Sequence, residues 1–395
     1  MRGKVLIAMS GGVDSSVAAL LMREAGYECA AVYLRLFDDD GGGADGDADG
    51  DADGGAGGGA AAVEAAACIG IPIETLDARA AFSEKVIDPF VASYLGGDTP
   101  NPCVQCNRHI KFGALLDYAT EKGFHNIATG HYARISQDGA LGRYVIKKGA
   151  DQGKDQSYML YALTQQQLAR IIFPLGAMSK AEVREIAQSR GLPNANRRES
   201  QDICFIPDGD FAAYIEAYAK AQWLPHSEAQ QPHSEAQQPN AGAQPLLAER
   251  LQCDGPIIDS SGAEIGRHKG AFRYTIGQRK GLGLAAGVPI YVYKKSMADN
   301  AVYVGQQSML YSQTLIAGDI NLMFFEHLCG TMRVAAKTRY RQPEQPATIE
   351  QLPNGTIRAT FDEPQRAITP GQAAVFYIDD TVVGGGTIIP PPQGE

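Results

Sequence analysis

The sequence predicts an α/β protein: a doubly wound parallel-sheet domain, then a small central α+β or β module, then a C-terminal β-barrel. Three observations lead there. Through about residue 208, short apolar runs alternate with amphipathic helical patterns, the layout of βαβ units. Residues 254 to 295 are instead rich in glycine, tyrosine and β-branched side chains. Residues 300 to 391 read as short strands broken by Pro-Asn-Gly, Thr-Pro-Gly and Gly-Gly-Gly turns. At 395 residues the chain exceeds what one small core can hold, so division into domains at 1–208, 209–290 and 291–395 is expected.

In chain order, residues 5–9 have the length and composition of a buried parallel strand, and residues 17–22 supply the apolar stripe of the helix that follows. Residues 29–34 make the next strand and complete a βαβ start. A later strand at 126–129 ends at Gly130-His131, and helical patterns at 110–122, 165–172 and 180–190 fill the covering layers. Two segments belong to no layer. Residues 38–60 are almost wholly Asp, Gly and Ala, and residues 225–245 are of low complexity, opening with two tandem copies of P-H-S-E-A-Q-Q at 225–238. Neither has apolar area to bury, so both are expected to be surface insertions. Asp45, Asp47, Asp49 and Gly50 imitate the start of a calcium loop, but the position of its closing glutamate is Ala56, which favours low complexity over a cation site.

No run approaches the ~20 apolar residues of a membrane span and no signal-peptide pattern opens the chain, so a cytoplasmic protein without a membrane partner is expected. The net charge of −10 argues against a nucleic-acid partner only until its distribution is seen. Eight aspartates lie between Asp38 and Asp53, and the remainder is nearly neutral. Basic residues gather at Lys147, Lys148 and Lys154, at Arg197 and Arg198, from Arg267 to Lys280, and at Arg333, Lys337, Arg339 and Arg341. Such patches can meet phosphates, although any one of them can equally be a solvated face.

The segment S-G-G-V-D-S-S between the first strand and helix has the chemistry of an anion cradle. Gly11 and Gly12 let the backbone approach oxygen atoms, Ser10, Ser15 and Ser16 add hydroxyls, and the helix N-terminus offers unpaired N–H groups. No lysine follows the glycines, so the Walker pattern is absent, as is G-x-G-x-x-G. The segment resembles the loop of ATP pyrophosphatases, which split ATP between the α and β phosphates and adenylate an oxygen atom. Asp14 would repel a polyphosphate unless a cation lay between them, so it is expected to contact Mg²⁺, directly or through water.

Seven cysteines without regular spacing suggest separate thiol fates rather than a disulfide framework. Cys103 and Cys106 lie where Pro100 and Pro102 should hold an extended loop leading into a helix, with Arg108, His109 and Lys111 close behind. That electropositive setting favours a thiolate at Cys106. Cys204 occupies an expected short apolar strand flanked by carboxylates. A C-x-x-C pair alone reads as half a zinc site, a redox pair, or a catalytic thiol with a neighbour.

Eight motifs then fall in one order: S-G-G-V-D-S-S, T-P-N-P-C-V-Q-C-N-R-H-I-K-F-G, A-T-G-H-Y-A-R, K-D-Q-S-Y-M-L, S-Q-D-I-C-F-I, Y-T-I-G-Q-R-K-G-L-G, K-T-R-Y-R and T-P-G-Q-A-A-V-F-Y. Together they resemble the tRNA-specific 2-thiouridylase family over nearly the whole chain. The resemblance implies an ATP-pyrophosphatase domain over 1–208 and ATP-dependent thiolation of C2 of the wobble uridine of tRNA. It implies ATP held by Ala8, Met9, Ser10, Gly11, Gly12, Val13, Asp14, Ser15, Leu34 and Gly130, and a target base met by Asn101, Pro102 and Cys103. Cys106 would be the nucleophile and Cys204 the persulfide carrier, the two closing a disulfide when sulfur leaves. tRNA would be contacted at His131, Lys154, Asp155, Gln156, Arg339, Tyr340 and Gln372, and a cysteine desulfurase or sulfur-relay protein would supply the persulfide. Some relatives carry an aspartate, proposed as an acid/base group, where this chain has Cys103. A runner-up chemistry follows, in which Cys103, Cys106 and Cys204 ligate an iron–sulfur cluster. A non-catalytic RNA-binding protein, or a ligase with the same loop acting elsewhere, would need neither the paired thiols nor the K-T-R-Y-R motif.

Overall fold

The computed structural model describes residues 2–38, 57–139, 142–197, 203–206, 208–223, 251, 253–284 and 287–390. Most of the aspartate tract, Arg198, residues 200–202 of the S-Q-D-I-C motif and the 225–245 insertion lie outside the described residues.

The first domain is a parallel sheet of β1 (Lys4–Ala8), β2 (Glu28–Arg35), β3 (Ile73–Asp77), β4 (Asn126–Ala128) and β7 (Ile171–Ile172), in the order β3-β2-β1-β4-β7. Val5 and Ile7 enter one apolar cluster and Leu6 another, because helices cover both faces. The chain moves outward from β1 to β2 and β3, then returns to the other side of β1 with β4. The switch point therefore lies between β1 and β4, where ligands of open α/β sheets bind beyond the strand C-termini. The loop after β1 and Gly130 after β4 both open there. Against one face pack α1 (Val13–Glu24), α2 (Gly58–Ile69) and α8 (Lys180–Ser189), sharing a core of Val17, Ala62, Ala66 and Val183.

Four local expectations change. The helix expected at 110–122 begins earlier, as α5 (Pro102–Gln105), and runs through a π-helical stretch, Cys106–Ala114, into α6 (Leu115–Glu121). The pattern at 165–172 gives only the one-turn α7 (Gln165–Leu168), after which Ile171 and Ile172 leave to pair with β4. The expected strand around Cys204 is a turn closed by the Ile206 N–H donating to the Ile203 carbonyl, 2.8 Å, because Ile203, Cys204 and Phe205 pack onto an aromatic cluster instead of a neighbouring strand. The end of the Asp/Gly tract is not loop: α2 starts at Gly58, which is buried against the phosphate-loop segment.

The central module is a four-stranded sheet of β8 (Gly255–Ile258), β9 (Glu264–His268), β10 (Tyr291–Ser296) and β11 (Ala301–Gly305), ordered β10-β11-β8-β9. The boundary expected at residue 291 falls inside this sheet, since Val302 and Tyr303 pair in parallel with Ile257 and Ile258. Beyond it, β12 (Tyr311–Leu322), β13 (Thr331–Lys337), β14 (Gln345–Gln351), β15 (Ile357–Arg366), β16 (Ala373–Ile378) and β17 (Thr381–Ile389) form an antiparallel barrel that closes by pairing β12 with β17. Alternate residues face inward, as at Ala347 and Ile349 or Ile357, Ala359 and Phe361.

The first domain contributes a hairpin, β5 (Ala133–Gln137) and β6 (Tyr144–Lys148), to the barrel sheet through Lys147 opposite Thr381. Ion pairs from Arg134 and Lys147 to Asp380, and from Lys148 to Glu344, reinforce the joint. One apolar cluster runs from Leu6 and Ile127 of the parallel sheet through Tyr158 to Val375 and Tyr377 of the barrel. Among the described residues no helix is long and apolar enough to cross a membrane.

Candidate active site

At the switch point, β1 ends at Ala8, and the buried Met9 donates its N–H to the Val32 carbonyl at 2.9 Å. Gly11 takes φ +86°, and a Cβ there would collide with the Gly58 carbonyl oxygen, so the turn requires glycine. Gly130 approaches the start of α1 so closely that a Cβ would lie 2.8 Å from the Asp14 carbonyl carbon and 2.9 Å from the Ser15 nitrogen. Leu34, near the end of β2, lies on the same strand-end side of the sheet. The serine hydroxyls turn inward: Ser15 and Ser16 donate to the Gly12 carbonyl at 3.0 and 3.2 Å. The Ser10 N–H donates to Ser15 Oγ at 3.2 Å and the Gly12 N–H reaches Ser10 Oγ at 3.5 Å, so what remains for an anion is chiefly the N-terminus of α1.

Several side chains supporting this loop were not legible in the sequence. The buried Asn194 donates Nδ2 to the Gly11 carbonyl and to Ser16 Oγ, both at 2.8 Å. Arg197 reaches the Gly11 and Gly57 carbonyls at 3.4 Å. Tyr132 donates its hydroxyl to Asp14 Oδ1 at 2.7 Å, and Lys180 Nζ contacts both Asp14 oxygens at 2.7 and 2.8 Å. Where a divalent cation was expected beside Asp14, the structure places an ammonium group. With both oxygens engaged, the carboxylate as arranged does not fit a direct Mg²⁺ contact.

The thiol centre lies on the segment after Thr99. Asn101 caps the helix by accepting from the Cys103 N–H at 3.2 Å, and Pro102, at the first helical position, is buried. Cys103 is reached by solvent yet ringed by protein; this burial pushes its thiol pKa up, and the Lys111 ammonium opposes it. One turn on, Cys106 is 7% exposed within the cluster built by Phe82, Phe90 and Phe205, and Cys204 packs against that same cluster beside Tyr214. The structure carries all seven cysteines as thiols. Among the described residues no three His, Cys, Asp or Glu side chains are grouped to hold a metal ion.

The two centres are joined through His131 and Lys111. The His131 ring, 9% exposed, packs against Phe112 of the π-helical stretch at 5.4 Å and hydrogen-bonds Thr129 through Nδ1 at 2.7 Å. Burial, helped by the Lys111 charge, drops its pKa to about 3. Lys111 thus acts on His131 and Cys103 at once.

The remaining residues expected to meet tRNA mostly brace this centre. Asp155 accepts from the Gly149 and Ser157 N–H groups, and Gln156 Oε1 accepts from the Tyr132 N–H at 2.9 Å. Lys154 belongs to the same turn, its N–H bonded to the Asp151 carbonyl. Met159, at its end, accepts from Asn101 through sulfur and from Asn107 through its carbonyl. Gln372 donates to the Thr99 carbonyl at 2.8 Å, and the Thr99 N–H donates to the Pro370 carbonyl at 2.9 Å, so the T-P-N-P segment docks on the T-P-G-Q turn of the barrel. Arg339 binds the Ile276, Ala367 and Thr369 oxygens, tying the central module to the barrel. Tyr340 lies 6.0 Å from the Tyr158 ring, with the Lys337 ammonium over both. Between α4 (Asp88–Gly96), this segment and the barrel residues Gly371 and Ala373 opens a cavity of about 110 Å³ lined by Asn101 and Pro102.

Comparison with known proteins accounts for all three modules. Residues 3–208 match a tRNA methyl transferase HUP domain, 245–306 a tRNA methyl transferase PRC-barrel domain, and 312–388 an aminomethyltransferase beta-barrel domain. The tRNA-specific 2-thiouridylase MnmA of Moorella thermoacetica is 48% identical over 383 residues, covering 97% of this chain and 98% of that protein. The proteins of the same name from Pelotomaculum thermopropionicum and Clostridioides difficile are 42% and 41% identical, with 98% of this chain covered in each case and 97% and 98% of theirs.

Proposed function

This chain belongs to the tRNA-specific 2-thiouridylase family, and on that footing we propose that it replaces O2 of the wobble uridine by sulfur carried on Cys204. It is a tRNA sulfurtransferase, and an ATP-pyrophosphatase domain fits its use of ATP.

ATP lies along Ala8 to Ser15, with Leu34 and Gly130 walling the switch point, and Asn101, Pro102 and Cys103 meet the unstacked base. The base oxygen attacks the α phosphate and pyrophosphate leaves, which turns a poor leaving oxygen into AMP. The terminal sulfur of a Cys204 persulfide then attacks C2 and AMP departs with the oxygen. Cys106 thiolate next attacks Cys204 Sγ; the sulfur–sulfur bond to the base breaks, 2-thiouridine is released, and a Cys106–Cys204 disulfide remains. An external thiol reductant and a persulfide donor, a desulfurase or relay protein, restore the enzyme. The observation that carries this reading is that Cys106 and Cys204 border one apolar cluster, where a persulfide is shielded from water. His131 stays neutral and supports the wall, while Lys154, Tyr340 and the basic faces meet tRNA in the cytoplasm. The mechanism needs no cluster at Cys103.

Mass spectrometry of nucleosides from tRNA incubated with enzyme, ATP and a persulfide donor tests the proposal. Cys106→Ser and Cys204→Ser are each expected to abolish 2-thiouridine while tRNA affinity holds within about twofold. Near-normal thiolation by either variant would sink the paired-thiol mechanism.

A further inference from the structure

The nucleotide loop carries a carboxylate and no lysine of its own, yet it has to accept a polyphosphate. We propose that Lys180, delivered by α8 from far along the chain, is the built-in counter-ion that makes this loop anion-accepting. It cancels the charge of Asp14, the task the sequence suggested for a metal ion. The inference rests on the reading of Ser10 to Ser15 as the ATP loop.

The geometry is specific. Lys180 Nζ lies 2.7 and 2.8 Å from the two Asp14 oxygens, so one ammonium straddles the whole carboxylate. The lysine side chain is only 11% exposed and that of Asp14 30%, which leaves the pair little screened by water. Tyr132 donates a further hydrogen bond to Asp14 Oδ1 at 2.7 Å, and its ring lies 5.9 Å from the ammonium.

The backbone aims the lysine as well. Ser179 caps α8 in a full capping box with Glu182, and the Lys180 N–H donates to Asp151 Oδ2 at 2.9 Å, so the first turn of α8 is fixed on both sides. α8 packs on α1 through Val183 and Ala187, which places this turn beside the loop. Asp14 in turn sits in the first turn of α1, where its carboxylate is favoured by the helix dipole but would oppose an incoming phosphate. A lysine on that carboxylate removes the opposition and leaves the dipole and backbone N–H groups to bind the anion. Lys180 is therefore a positioning and charge-balancing residue, acting on ATP through Asp14.

The test is equilibrium binding of a fluorescent ATP analogue, with and without EDTA, to wild type, Lys180→Gln, Asp14→Asn and the double variant; tRNA affinity and melting temperature are measured alongside. Lys180→Gln is expected to weaken nucleotide binding by about tenfold or more, since it leaves the Asp14 charge uncompensated. Adding Asp14→Asn is expected to restore affinity to within about threefold of wild type, because the charge that needed cancelling is gone. Wild-type binding should persist in EDTA. Unchanged affinity in Lys180→Gln, or a double variant as weak as Lys180→Gln, would overturn the proposal, as would loss of tRNA affinity in step with nucleotide affinity. If the loop did not bind ATP at all, wild type itself would show no binding, which separates failure of the underlying reading from failure of this one.

Discussion

His131 packs between the rings of Phe112 and Phe173, and its pKa is pushed down to about 3 from 6.5. Above pH ~6.5 the imidazole is neutral whether the chain is folded or not, and it contributes nothing to pH dependence. As pH falls from 6.5 towards 3, the unfolded chain takes up a proton that the folded ring refuses, so stability is lost across that window. At pH ~5 the loss amounts to about 2 kcal/mol. His131→Gln keeps a partner for Thr129 without the titration, and urea melts at pH ~7 and ~5 should show a correspondingly smaller acid loss; an acid loss equal to wild type would show that His131 titrates normally. At this scale the sequence was legible where backbone chemistry speaks through residue type. The glycines of the loop and the thiols of C-x-x-C announce themselves. Lys180, Tyr132 and Asn194 do not, since each is an ordinary residue until the fold brings it to Asp14 or Gly11. The helical pattern over 180–190 was readable, but not what its first turn would face.

The segment from Asp98 to Gln105 depends on its neighbours more than on its own propensity. Two prolines predict an extended entry and a helix start, and the Asn101 cap delivers both. They do not predict that the segment is held from the barrel, by Gln372 at Thr99 and by Gly371, whose φ is +89°. A Cβ on Gly371 would lie 2.8 to 2.9 Å from the Thr99 backbone, and no side chain can rotate to relieve that contact. Gly371→Ala is therefore expected to cost about 1–3 kcal/mol and to lower kcat for thiolation by at least about tenfold, with the affinity for ATP unchanged. Equal loss in nucleotide binding and turnover would mean that the barrel turn supports the whole domain rather than this segment. The π-helical stretch over Cys106–Ala114 had no sequence signal: its apolar residues suited an α-helix, and the wider turns appear only where Phe112 must reach His131 while Cys106 stays in its own cluster. The Cys204 segment failed as a strand for a related reason, because a short continuous apolar run cannot distinguish a strand from a turn seated on an aromatic surface.

Across the whole molecule, the order of the modules was legible and their joints were not. Composition changed near residue 208 and again near 300, yet β10 and β11 belong with the central sheet and the hairpin of β5 and β6 with the barrel sheet, since pairing partners are chosen by distant strands. The shared cluster from Leu6 to Tyr377 packs the first domain against the barrel, and the segment that leads to the thiols docks on the barrel turn at Gln372. In the proposed mechanism nucleotide chemistry and sulfur chemistry meet at one bond, the C2–O2 bond of a uridine, whose oxygen leaves with AMP. The most direct measurement follows that atom: tRNA carrying a heavy-oxygen label at C2 of the wobble uridine is thiolated with ATP and a persulfide donor, and the AMP released is weighed. The account predicts that the label appears in AMP in proportion to the 2-thiouridine formed. Thiolated tRNA accompanied by unlabelled AMP, with the heavy oxygen in water or pyrophosphate, would contradict it.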